Sequence, residues 1–122
     1  MEAMSPTTTL ALPYPPSVNH YWRRVGSRTL ISREGRRYRS RVASLLASRR
    51  AEPLRGSLHV HVAVHPPDLR RRDLDNAMKA LLDALAHGGV YKDDGQIDRL
   101  EIERCGVVPE GQVVVRISEV PL

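Results

Sequence analysis

The sequence predicts an α/β protein of the α+β kind, a two-layer sandwich in which a mixed β-sheet carries two main helices on one face. Three observations predict it. Ser57 to His65 alternates strictly, with Leu58, Val60, Val62 and Val64 on one side and Ser57, His59, His61, Ala63 and His65 on the other, the period of a half-buried strand. Tyr38, Val42, Leu45 and Leu46, and later Leu74, Ala77, Met78, Leu81, Leu82, Leu85 and Ala86, recur at three- and four-residue steps, the period of a helix with one apolar stripe. Elements of both periods share one chain of 122 residues, and helices layered on a single sheet bury both kinds of apolar face. A chain of this size buries roughly two-thirds of its unfolded surface, enough for one domain.

Residues 1–8 are polar and are expected to form a flexible N-terminus, leaving 9–122 as the domain. Thr9 to Leu12 alternates weakly as a first strand. It stops at Pro13-Tyr14-Pro15-Pro16, where prolines confine the chain to an extended turn and forbid a central strand. Tyr21 and Trp22, the latter the only tryptophan, serve either the core or the stacking of an unpaired base. Thr29-Leu30-Ile31 reads as a short strand after a basic turn containing Gly26. Ser32 caps the first long helix and Glu34 suits its first turn. Arg36, Arg37, Arg39 and Arg41 lie off its apolar stripe, and seven arginines between Arg23 and Arg39 favour a face turned to nucleic acid over a merely solvated one.

Pro53 and Gly56 separate that helix from the strand at Ser57–His65. His59, His61 and His65 share one strand face and invite a zinc site, but same-strand trios rarely converge tetrahedrally. A polar face covered by a partner or by DNA fits them better. Gly88-Gly89 end the second helix, as glycine ends helices through a left-handed cap. Val90 to Gly95 reads as a short strand and turn, and Gln96 to Arg104 as a strand with a phase shift among Ile97, Leu100 and Ile102. Pro109-Glu110-Gly111 reads as a hairpin turn into a last strand, Gln112 to Val120.

The net charge of +5 conceals an asymmetry: residues 1–72 hold 14 Arg against 4 acids, a balance of +10, and residues 73–122 hold 5 basic and 10 acidic residues, a balance of −5. A basic half joined to an acidic half suits a protein that grips phosphates on one side and holds a cation on the other. Arginine supplies 17 of the 19 basic residues, which favours bidentate phosphate contacts. No apolar run approaches the length of a membrane span and no leader pattern is present, so no membrane partner is expected. A lone Cys105 forms no internal disulfide and points to a reducing, cytoplasmic compartment.

The densest chemistry lies in Arg70-Arg71-Arg72-Asp73-Leu74-Asp75-Asn76-Ala77-Met78-Lys79. Asp73 and Asp75 sit where an extended segment is expected to become helix, and residues two apart in extended chain point the same way. Both carboxylates can therefore face one ion. Hard oxygens with room for waters suit Mg²⁺ or Mn²⁺, and the neighbouring arginines suit an anionic substrate. One aspartate before a helix is ordinarily a cap. Two, followed by Asn76, exceed that need. A calcium loop fails, because its required glycine and glutamate would fall on Met78 and Ala84.

The runs RRRDLDNAMKALLDAL (residues 70–85) and GGVYKDDGQI (residues 88–97), with LPYPPSVNHYW (residues 12–22), resemble the signature of the RusA family of Holliday-junction resolvases. The resemblance covers nearly the whole chain and implies a RusA-like fold. It also implies a small homodimeric, Mg²⁺-dependent DNA endonuclease, with Mn²⁺ as a substitute, that nicks four-way junction DNA symmetrically in recombination and repair. Carried over residue by residue, the motif makes Asp73, Asp75 and Asp94 the metal ligands and Lys79 the ammonium at the scissile phosphate. Arg70, Arg71 and Arg72 would hold flanking phosphates; Arg36 and Arg37, outside the motif, are further candidate DNA contacts from the arginine-rich first helix. Asn76 would contact the DNA or bond an aspartate or a metal-bound water, Asp93 would support the site from behind or act as a weaker ligand, and Asn19 would support it from behind. Two alternatives remain: a catalytically weak branched-DNA-binding protein, against which the intact acidic set argues, and a Mg²⁺-dependent nucleotide phosphohydrolase, which would not need so basic a first half.

Overall fold

A computed structural model describes residues 7–49 and 51–120. The central strand is β4 (Ser57–His65), and its strict alternation explains its place: Leu58, Val60, Val62 and Val64 are all buried. The main sheet runs β1 (Thr7–Pro13), β6 (Gln112–Val120), β4, β5 (Ile97–Arg104), with β4 antiparallel to β6 and parallel to β5. Val113, Val115 and Ile117 of β6 extend the same apolar face. Against it pack helix α2 (Arg33–Leu46), through Tyr38, Val42 and Leu46, and helix α3 (Met78–His87), through Ala80, Leu81, Ala84 and Leu85. The predicted two-layer α+β sandwich is the observed one.

Ser32 caps α2 as its sequence predicts, its Oγ accepting from the Gly35 N–H at 3.0 Å. Ahead of α2 stand a four-residue helix, α1 (Val18–Tyr21), and a hairpin of β2 (Trp22–Val25) and β3 (Arg28–Ile31) that is separate from the main sheet. Its turn holds Gly26 at φ 62°, a conformation that favours glycine. α1 carries no periodicity long enough to be read from sequence. It forms because its first amide, Val18 N–H, reaches the Asn76 carbonyl at 2.8 Å while Tyr21 buries completely.

Several expectations need correction. The first strand starts at Thr7, so Thr7 and Thr8 are paired with β6, and the expected flexible terminus otherwise falls on residues 1–6, outside the described ones. Leu45 is exposed, so only Tyr38, Val42 and Leu46 form the stripe of α2. The second helix begins at Met78: Leu74 to Ala77 are turns, in which the Asp73 and Asp75 carbonyls accept from residues three further on. Tyr91 makes only an isolated bridge to Leu54, and a single 3₁₀ turn spans Asp94–Gln96. Most consequential, β5 and β6 are not a hairpin. β5 carries few buried side chains and takes the edge, while the chain after it bonds along the end of β4 (Cys105 N–H to Val64 O, Val108 N–H to Pro66 O) before Glu110 and Gly111 reverse it at positive φ. No described helix is long and apolar enough to cross a membrane.

Candidate active site

The segment Arg70–Asp75 lies between β4 and α3 and is held by side chains rather than by secondary structure. Arg72 Nη1 donates to Asp68 Oδ1 at 2.7 Å, and the Arg70 N–H donates to the same carboxylate at 2.9 Å. The guanidinium of Arg72 and that backbone N–H hold the Asp68 carboxyl down at about 2. Arg104 Nη2, from the end of β5, donates to the Arg72 carbonyl at 2.6 Å. The Arg72 guanidinium also lies 5.9 Å from the centre of the Tyr14 ring. Asp68, Arg104 and Tyr14 therefore fix the backbone immediately before Asp73.

Beyond that anchor the side chains alternate: Asp73 and Asp75 are exposed while Leu74 is half-buried against the core. Neither aspartate caps α3, whose N-cap is Ala77 with no side-chain bond. Neither carboxylate has an ion-pair or hydrogen-bond partner among the described residues. Both line a cavity of about 730 Å³ together with Arg70, Arg71, Arg72 and Tyr14. Arginines around two unneutralised carboxylates make a hollow that attracts an anion and a cation at once.

The remaining predicted residues do not line this hollow. Lys79 is exposed on the first turn of α3, with its ammonium 5.9 Å from the centre of the Trp22 ring. Asp75 lies in the turn just before α3, its carbonyl accepting from the Met78 N–H at 3.0 Å. Asn76 lines a second cavity of about 330 Å³ with Ser17, His20 and Arg70–Arg72. Arg36 and Arg37 are both exposed on α2, and Arg37 lines a groove together with Tyr14 and Arg41. Asn19 is exposed on α1, and its side chain has no hydrogen bond among the described residues.

Asp94 opens the 3₁₀ turn and is exposed. Asp93 serves that turn as its cap, Oδ1 accepting from the Gly95 N–H at 3.0 Å. Gln96 holds the turn in place. Its Oε1 accepts from the Lys92 and Asp93 N–H groups at 2.9 and 3.0 Å, and its Nε2 donates to the Leu54 and Gly56 carbonyls, both at 3.0 Å. Asp94 does not line the cavity of Asp73 and Asp75, and among the described residues no three His, Cys, Asp or Glu side chains gather closely enough to hold a metal ion. The histidine trio forms no such group either: His61 Nε2 pairs with Glu103 at 3.2 Å and His65 Nδ1 lies 2.8 Å from the Gly106 carbonyl.

Sequence reasoning missed Asp68, Tyr14, Arg104 and Gln96. Asp68 and Arg72 stand four apart, and Asp93 with Gln96 has capping-box spacing, so two of the four left a trace. Arg104 and Tyr14 left none, because their partners are remote in sequence.

Fold and cavity together define a small α+β protein with a carboxylate pair set among arginines, an arrangement suited to a polyanionic substrate. The family model of endodeoxyribonuclease RusA matches residues 13–118. A crossover junction endodeoxyribonuclease of Enterobacteria phage HK97 is 44% identical over 109 residues, covering 88% of this chain and 91% of that protein. Those of Escherichia coli strain K12 and Enterobacteria phage 82 are 37% and 38% identical over 114 residues, covering 93% of this chain and 95% of theirs. The chain belongs to the RusA endodeoxyribonuclease family, and its activity is that of a nuclease.

Proposed function

We propose that this chain is a Mg²⁺-dependent endonuclease that resolves Holliday junctions by paired symmetric nicks. The observation that carries the proposal is the unpartnered Asp73/Asp75 pair inside an arginine-lined hollow. Relatives spanning nearly the whole chain and named for crossover-junction cutting support the substrate.

The donor chemistry fits the metal. Mg²⁺ is ordinarily bound by one or two carboxylates together with waters and substrate phosphates, so the pair suffices for initial binding without a three-ligand cage. Asp94 would complete the set from its clamped turn. When bound, Mg²⁺ or Mn²⁺ lowers the pKa of a water and withdraws charge from the phosphate. The chain's own residues do the rest. Arg70 and Arg71, both exposed, bind phosphates flanking the scissile one. Arg72 keeps the Asp73 backbone in place and adds positive potential. Lys79 places its ammonium where negative charge grows on the phosphate. Asn76 supplies an amide toward a water or a carboxylate, and the exposed arginines of α2 extend the phosphate-binding surface.

One site cuts one strand. A four-way junction has approximate two-fold symmetry, so two equivalent cuts call for a two-fold homodimer. The experiment incubates the chain with a synthetic four-way junction, a nicked duplex and a nucleotide, each with and without Mg²⁺. Paired symmetric nicks that need both junction and metal support the proposal. Junction binding without nicking, or phosphate release from the nucleotide alone, overturns it.

A further inference from the structure

We propose that Trp22 is a positioning residue for Lys79, its indole face holding the lysine ammonium in place; the inference rests on the nuclease reading of Lys79 given above. Two adjacent aromatic residues grip two positions of α3 that lie one turn apart. The Tyr21 hydroxyl donates to the Asp83 carboxylate. The Lys79 ammonium lies 5.9 Å from the centre of the Trp22 ring, within cation–π range. The two rings meet edge to face, with centroids 5.1 Å apart and planes at 85°, so the buried Tyr21 ring supports one side of Trp22.

The clamp has a firm base. Tyr21 is fully buried, its carbonyl accepts from the Ser32 N–H at 2.8 Å, and the start of α1 is bonded to Asn76. Lys79 by contrast is exposed and has no ion-pair partner among the described residues. The carboxylate one turn further along, Asp83, is the natural candidate to neutralise it. Asp83 is instead engaged by the Tyr21 hydroxyl and lies 3.1 Å from Arg39 Nε, a charge contact across to α2. Tyr21 and Arg39 thus take Asp83 away from the lysine, and Trp22 provides a different anchor. An aromatic face attracts an ammonium without using any of its three N–H donors. The lysine is restrained yet keeps its full charge and hydrogen-bonding capacity for a phosphate. A carboxylate partner would have offset its charge and occupied at least one of those donors.

The test uses Trp22→Tyr, Trp22→Phe and Trp22→Leu on the full chain, with the nicking rate at saturating junction measured separately from junction affinity. The expected result is a graded fall in kcat in that order, about two- to five-fold for leucine, with KM and junction Kd unchanged. Losses that appear in KM instead, or a leucine variant that nicks at the wild-type rate, would overturn the assignment. Trp22 is the only tryptophan, so its fluorescence reports the same contact without DNA. Lys79→Met, a change at an exposed position, is expected to alter that emission, and an unaltered spectrum would overturn the contact itself. If the wild-type chain does not cut junctions, the nuclease reading fails, while the emission comparison still decides whether Trp22 holds Lys79.

Discussion

Replacing Gln96 by leucine removes four hydrogen bonds of 2.9–3.0 Å at nearly constant side-chain volume. The two to Lys92 and Asp93 lie on an exposed turn where water can take over, and count about 0.5 kcal/mol each. The two to the half-buried Leu54 and Gly56 carbonyls count about 1 kcal/mol each, for a total loss of about 3 kcal/mol. A domain with about 5–15 kcal/mol of stability still folds after that loss, so its activity remains measurable. Urea unfolding should show a lower midpoint with unchanged slope, and the Lys92 and Asp93 amides should exchange hydrogen faster. Because Asp94 rides on that turn, nicking should fall steeply while junction affinity stays the same. Gln96→Glu retains the acceptor but sets a carboxylate oxygen against two carbonyls, and should lose at least as much. A leucine variant that loses under about 1 kcal/mol, with unchanged amide exchange, would refute the role of Gln96 as the clamp of the Asp94 turn.

Asp73→Asn should keep junction binding and abolish nicking; retained cutting would remove Asp73 from the site. The Asp68 carboxyl, held at about 2 against an ordinary 3.8, contributes stability that is fully present above the ordinary value and is lost as pH falls through the lower one. Carbon-13 NMR should find its midpoint near 2, and Asp68→Asn should remove that acid-side stability loss; a midpoint at or above 3.8 would refute the Arg72 tether. Gly35→Ala should destabilise the protein by about 1–3 kcal/mol in urea unfolding, through overpacking. A methyl there would stand 2.7 Å from Ile31 Cγ2 and 2.8 Å from the Tyr21 carbonyl, and a neutral result would show that α2 can shift away from α1.

The sequence by itself determined the two long helices, the central strand and the residue types of the candidate site. Each rests on relations within a few residues: the alternation of Ser57–His65, the Ser32 cap, the Asp73/Asp75 spacing, and the arginines beside them. A periodic pattern states which face is buried, but it does not name the partner. Only the tertiary structure decided that β5 lies parallel to β4 at the edge instead of forming a hairpin with β6, because strand pairing is set by which apolar faces meet over long separations. It likewise decided that the two aspartates are not caps, since the Asn76 carbonyl is bonded to Val18 and the helix begins beyond them at Met78. The supports of the site also come from afar: Arg104 on Arg72, Gln96 on Leu54 and Gly56, Trp22 on Lys79. Residues separated by dozens of positions meet only in the folded chain, so local sequence carries the residue types of the candidate site and the packed fold carries their placement.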